Sequence, residues 1–237
     1  LFEKGHEVGI WPMNEQNIDV SAYNMTEDFQ SKFKEAIDRR FDFLSPDIPS
    51  LKIWHLNGSE NRKNSKQYLY TFYECSKPTD VERKLCNSQE RTIFSSSCAA
   101  SQFDADYIPL GLDPEFKPTG KKYLEGVTHF GLMGKFEKRK HTAKIINTWV
   151  KKYGNNNKYQ LSCCVTNPFF KSEEMSHLIN SALEGQRYNN VNFLPFLKTN
   201  QEVNEFINAI DIDLTGLSGG EGWNLPAFNS TCLGKWS

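Results

Sequence analysis

A chain of 237 residues that is 38% hydrophobic and 13% aromatic carries enough apolar side chain for one sizeable core or two small ones. That excludes a disordered tail, a collagen-like repeat and a disulfide miniprotein. With 28 Lys and Arg against 29 Asp and Glu it lacks the basic excess of a general nucleic-acid binder, so no nucleic-acid partner is expected.

The start, Leu1–His6, has neither the basic stretch and apolar run of a signal peptide nor an initiator Met. It reads as a fragment or a processed form, and the chain as cytoplasmic. No apolar run approaches the ~20 residues that span a bilayer, so no transmembrane segment is expected, while peripheral membrane contact stays open. Gly5–Ile10 reads as a helix end turning into a strand, and Thr26–Arg40 as a charged amphipathic helix. Strands follow at Leu51–Leu56, Tyr68–Tyr73 and Thr92–Phe94, the last running into Ser95–Ser97. Tyr107–Pro114 is a Pro- and Gly-bearing linker, which sets the expected domain boundary near residue 119.

Val127–Met133 reads as a buried strand, Lys135–Lys140 as a basic turn, and a helix follows with Ile145, Ile146, Trp149, Val150 and Tyr153 on one face. Tyr159–Thr166 is β-like, Ser172–Leu183 a helix and Val191–Leu194 a strand. Thr199 and Glu202 have capping-box spacing and open a helix through Ile210. Ile212–Thr215 is a strand, then comes a glycine-rich segment, Gly216–Gly222, and a last helical segment near Pro226. Alternating strands and helices argue for parallel, doubly wound sheets with ligands at the carboxyl ends of the strands.

Two turns carry chemistry. Lys135, Lys138, Arg139 and Lys140 crowd the start of a helix, where the dipole favours anions. The crowding makes sense if an anion binds there, and equally reads as a solvated basic loop. Gly216–Pro226 offers close backbone approach and free N–H donors, but is neither a dinucleotide fingerprint nor a P-loop, and also reads as a structural turn. His55 and Glu74 end strands of the first half, and Ser95–Ser97 offers hydroxyls in a similar place. Asp211 and Asp213 have D-x-D spacing, yet Asp213 alternates with the apolar residues of a strand. His6 and His129 look incidental, and His177 lies on a polar helix face. The six cysteines form no metal-ligand pattern, and Cys163 and Cys164 read as buried thiols. Asn24, Asn57 and Asn229 open glycosylation triplets of a kind that arises by chance.

The two turns together resemble the retaining, family-four-type ("group 1") glycosyltransferases of GT-B architecture. Those proteins carry G-R-x-x-x-x-K-G and E-G-F-G-L-P-x-x-E. This chain reads Gly134-Lys135 through Lys140-His141, and Glu221-Gly222-Trp223-Asn224-Leu225-Pro226 through Asn229. Ile108–Asp113 with Phe116 is similar to the family's interdomain linker, and Val191–Pro195 to its base-contacting loop. The likeness spans about residues 90–237 in order and spacing; the first 90 residues agree loosely.

The resemblance implies two Rossmann-like domains facing a cleft. Residues 1–119 would be the acceptor side, lacking the family's opening glycine-rich loop. Residues 120–237 would be the nucleotide-sugar side, lacking its closing helices. It implies that Lys135 and Lys140 hold the donor diphosphate. Glu221, with the backbone of Gly220, Gly222, Trp223, Asn224 and Leu225, would meet the donor sugar and its phosphate. Phe193 and Leu194 would contact the base, and Asn229, where the family has glutamate, the ribose. His55 and Glu74 become acceptor-side candidates. The implied activity is transfer of a sugar, with retention and no obligatory metal or other cofactor, from a nucleoside-diphosphate sugar to a saccharide, lipid or other small acceptor. A nucleotide- or sugar-phosphate-binding protein without turnover is the alternative, suggested by Asn229 in place of a carboxylate and by the family's missing opening loop and closing helices; Lys135 for arginine loses the bidentate fork but keeps the charge.

Overall fold

A computed structural model describes residues 1–13, 25–218 and 220–237. Asn24 of the first glycosylation triplet and Gly219 of the glycine-rich segment lie outside the described residues. The chain divides into two compact units, Leu1–Leu110 and Gly111–Ser237, each built on a four-stranded parallel sheet.

In the first unit, helix α1 (Glu27–Asp38) starts at Thr26, whose hydroxyl accepts from Phe29 N–H. The strand expected over Gly5–Ile10 does not form; that segment runs beside α1, Ile10 N–H donating to the Ala36 carbonyl. The sheet takes β1 (Ser50–Ile53), β2 (Gln67–Thr71), β3 (Arg91–Phe94) and β4 (Asp106–Tyr107) in chain order, with α2 (Asp80–Asn87) and α3 (Ser97–Phe103) as crossovers. Over these strands the winding never reverses. Leu56, Leu69, Tyr73, Phe94 and Phe103 form the core, with the Phe94 and Phe103 rings stacked at 4.7 Å. Helix α2 has a full capping box, Thr79 with Glu82.

In the second unit the strands are β5 (Thr128–Met133), β6 (Tyr159–Cys164), β7 (Val191–Phe193) and β8 (Ile212–Asp213). The helices are α4 (Thr142–Tyr153), α5 (Ser172–Ala182), α6 (Asn200–Ala209) and α7 (Leu225–Cys232). The strand order is β7-β6-β5-β8, so the winding reverses between β5 and β8. One sheet face sends Phe130, Leu132, Leu161 and Cys163 against Ile145, Ile146, Trp149 and Met175 of α4 and α5, the helix face expected from the sequence. Each large apolar side chain buried this way contributes about 1.5–3 kcal/mol. The second core joins Cys164 with Phe206, Ile207 and Ile210. Gly131 makes room for them, since a Cβ there would stand 2.5 Å from Ile210 Cδ1.

The segment before residue 119 packs with the second unit. Phe116 is buried beside Phe206 and Ile207. Lys117 and Thr119 donate their N–H groups to Asn204 and Asn208 of α6, and Asn208 returns a bond to the Lys117 carbonyl. These bonds put the division at 110/111, ahead of the expected boundary near 119.

Candidate functional site

The two turns singled out by composition leave neighbouring strands at the point where the winding reverses. Where β5 and β8 end, Met133 N–H donates to Thr215 Oγ1 at 3.0 Å, and Leu214 N–H to the Gly131 carbonyl at 2.8 Å. In open parallel sheets, ligands bind in the crevice at this carboxyl-end switch point. Gly134 opens the first turn with φ +126°, and its bare Cα faces the Lys140 stem, since an added Cβ would lie 3.4 Å from Lys140 Cδ. Phe136 is buried and bonded to the Val165 carbonyl, which fixes the middle of the turn. His141 closes it with φ 54° and gives α4 no side-chain cap, so the helix begins at the site with its N-terminal dipole uncapped by a side chain.

The turns, 81 residues apart, meet through one carboxylate. Glu221 Oε1 accepts from Lys140 Nζ at 2.5 Å and from Ser218 Oγ at 2.6 Å. Glu221 Oε2 lies 3.2 Å from Arg139 Nη1, which also donates to the Gly220 carbonyl. Arg139 Nη2 is 3.3 Å from Glu137. The Lys140 and Glu221 side chains are only 16% and 15% exposed. Burial pushes the Glu221 carboxyl up, but hydrogen bonds from Lys140 and Ser218 and the charges of Lys140 and Arg139 outweigh it. The group is held below its ordinary value and stays ionised. Arg139 and Ser218 were not among the residues assigned from the sequence, although Arg139 stood in the basic turn.

Gly220 and Gly222 flank Glu221, and Trp223 packs on Phe228 at 5.0 Å with its indole N–H buried and unpartnered. Asn224 caps α7, its Oδ1 accepting from Ala227 N–H and its Nδ2 donating to the Thr215 carbonyl. Leu225 is exposed, and Asn229 lies within α7 at 8% exposure, which also argues against glycosylation there. The Lys135 ammonium sits 4.6 Å from the Phe169 ring, a cation–π contact rather than a place in the Glu221 cluster. Phe193 and Leu194 follow the strand alternation to opposite faces, Phe193 into the α4/α5 core and Leu194 toward α6. A separate hollow of about 610 Å³ takes in Leu194, His129 and Asn192, and none of the ionic cluster.

His55 and Glu74 are exposed just past β1 and β2. Ser95 is buried and Ser96 is consumed as the α3 cap. Asp213 is structural, accepting from Thr215 N–H and Ser237 Oγ. His129 is integral rather than incidental: it is buried, with Nδ1 2.8 Å from the Ala209 carbonyl and Nε2 2.7 Å from Ser162 Oγ. Burial holds the Cys163 and Cys164 thiols protonated, Cys164 with its pKa pushed up to about 12. Among the described residues no three His, Cys, Asp or Glu side chains are grouped to hold a metal ion, and no helix is long and apolar enough to cross a membrane.

No family model and no characterised sequence matches the chain. Solved structures do. OtsA aligns over 90% of this chain and 62% of its own, with a TM-score of 0.62 and 11% identity. Sucrose-phosphate synthase from Thermosynechococcus elongatus aligns over 88% and 59%, with a TM-score of 0.62 and 14% identity. HepE of Anabaena, solved with UDP and glucose, aligns over 71% and 51%, with a TM-score of 0.55 and 13% identity. The chain thus spans about three fifths of the first two proteins and half of the third. At such identities the likeness speaks for the fold, which is α/β with two parallel-sheet Rossmann-like units, as in the GT-B glycosyltransferases.

Proposed function

We propose that the chain is a glycosyltransferase, taking a sugar from a nucleoside-diphosphate sugar held at the β5/β8 switch point of the second unit. The observation that carries this reading is the meeting of Lys140, Arg139, Ser218 and Glu221 from two anion-ready turns beside the uncapped N-terminus of α4. When the sugar–phosphate bond breaks, its electron pair and negative charge pass to the departing diphosphate. Lys140 and the N–H groups at the start of α4 would stabilise that charge, and Lys135 would join them by turning from the Phe169 ring. Glu221 and the backbone of Gly220–Leu225 would address the sugar and its phosphate, and Asn229 the ribose.

The finer features of the proposal are a hexosyl donor, retention at the anomeric carbon and no metal requirement. A saccharide, lipid or other small acceptor would be met near His55 and Glu74, in a cytoplasmic setting that allows peripheral membrane contact. The test is a calorimetric screen of UDP, GDP, ADP and their sugar conjugates, followed by hydrolysis or transfer with whichever binds. Saturable binding of one nucleotide with turnover supports the reading, and silence from all of them in a folded protein refutes it. A binding protein without turnover is the second reading, favoured by the buried amide of Asn229 where the resemblance calls for a carboxylate. Tight nucleotide binding with no turnover would select it.

A further inference from the structure

The three donors that converge in the switch-point cluster already hold an anion, and that anion is Glu221. Its two oxygens take Lys140 Nζ at 2.5 Å, Ser218 Oγ at 2.6 Å and Arg139 Nη1 at 3.2 Å, in a place where both side chains of the Lys140 pair are about 15% exposed. Of these donors, the two cations Lys140 and Arg139 are the ones a phosphate would use, while Ser218 serves to hold Glu221. The formal charge of the cluster is zero, because Arg139 and Lys140 face Glu221 and Glu137. A diphosphate arriving at this arrangement would meet two cations whose charge is already balanced. It would also have to take Lys140 from a partner it is already touching.

We infer that Glu221 is a built-in competitor of the diphosphate. It occupies Lys140 in the empty site and must swing out before a phosphate can bind, so that binding exchanges one anion for another on the same cations. This rests on the placement of the diphosphate at Lys140 proposed above. The glycines around it suit such an exchange, since Gly220 and Gly222 bracket Glu221 and give that stretch more backbone freedom than any other residue would. The freed carboxylate is then available to the sugar, which ties release of Glu221 to arrival of the donor. A diphosphate, with more than one negative charge and several acceptor oxygens, outcompetes a single carboxylate for Lys140 and Arg139. A singly charged carboxylate ligand does not.

The test is calorimetric titration of the chain with UDP and with inorganic pyrophosphate, which lack a sugar and so do not report on any Glu221–sugar contact. Glu221→Gln keeps the shape and removes the charge, and is expected to bind both probes at least about tenfold tighter than the wild type. Ser218→Ala leaves the ion pair in place but loosens it, and is expected to tighten binding about two- to threefold; it serves if the Gln variant unfolds, which thermal melts of each variant will show. In Lys140→Ala with Glu221→Gln the gain disappears. Equal or weaker binding by Glu221→Gln and Ser218→Ala, with a wild type that binds and a Lys140→Ala variant that does not, overturns the competitor and leaves the site standing. A Lys140→Ala variant that binds as well as the wild type overturns the site and the competitor together, as does failure of every variant to bind at millimolar probe.

Discussion

Replacing Lys140 by alanine separates the two things this lysine does. In the folded chain its side chain is 16% exposed and its ammonium 2.5 Å from Glu221. Removing one partner of a fully buried ion pair costs about 3–5 kcal/mol. Here Glu221 keeps Ser218 and Arg139 and the pair is not fully buried, so a loss of about 1–2 kcal/mol is the expectation. For a domain of this size that lowers Tm by about 2–8 °C. On the proposed function the loss in catalysis is larger, because the charge on the departing diphosphate would develop where the ammonium sat. One such group is worth about 2.7–4 kcal/mol, or about 10²–10³-fold in kcat. Lys138 is exposed two residues away, and Lys138→Ala should stay within about 0.5 kcal/mol of the wild type in both respects. The assay pairs thermal unfolding with donor turnover for the three proteins. Equal kinetic losses in the two variants would refute the placement of the diphosphate at Lys140.

Gly131→Ala puts a Cβ 2.5 Å from Ile210 Cδ1 and 2.9 Å from its Cγ2, in a place where Ile210 is 1% exposed and cannot retreat. Chemical denaturation should show a loss of about 1–3 kcal/mol, and an unchanged midpoint would mean α6 sits farther from β5 than described. Asn224→Ala removes both the α7 cap and the bond to the Thr215 carbonyl, costing about 1–2 kcal/mol in the same experiment, whereas Asn224→Asp, which retains the cap, should recover roughly half. His129 is held by burial below its ordinary pKa of 6.5, against the raising influence of the Ala209 carbonyl and Asp211 and with Lys235 adding to the lowering. Below that pH the unfolded chain takes up a proton the folded one resists, so stability falls as pH drops through 6.5 and on toward the folded pKa. Urea midpoints of wild type and His129→Gln should converge on acidification, and parallel curves would contradict the assignment.

Most of the second unit is legible in its sequence because several local signals agree there. The apolar face of Ile145–Tyr153 is a 3.6-residue stripe, Thr199 and Glu202 form the capping box their spacing announces, and in β5 and β6 Phe130, Leu132, Leu161 and Cys163 recur at every second residue. The first unit is harder to read. Helix α2 carries a capping box, Thr79 with Glu82, but only eight residues follow and they bury a single cysteine, so the periodic signal is nearly absent. Gly5–Ile10 has the alternation of a strand but joins no sheet among the described residues, and it settles against α1, where Ile10 N–H donates to the Ala36 carbonyl. Strand β4 is two residues long and merges with what composition alone marks as linker.

The site divides the same way, between what is local and what depends on strand order. Glycines and cations mark both turns, but nothing local says that they touch, because that requires β8 to pair with β5 rather than with β7. The crowding of four cations at a helix start is an electrostatic oddity in the sequence, and topology dissolves it. Lys135 turns to the Phe169 ring, Lys138 is exposed, and Arg139 and Lys140 are paired with Glu221, 81 residues downstream of Lys140, and with Glu137 beside Arg139. The cations are therefore not a standing invitation to any anion. On the proposal above they are a paired set that a ligand would have to win, which a diphosphate would do where a chloride or a lone carboxylate would not. Selectivity for multiply charged phosphates would then follow from the competitor inside the site as much as from the contacts offered to the ligand.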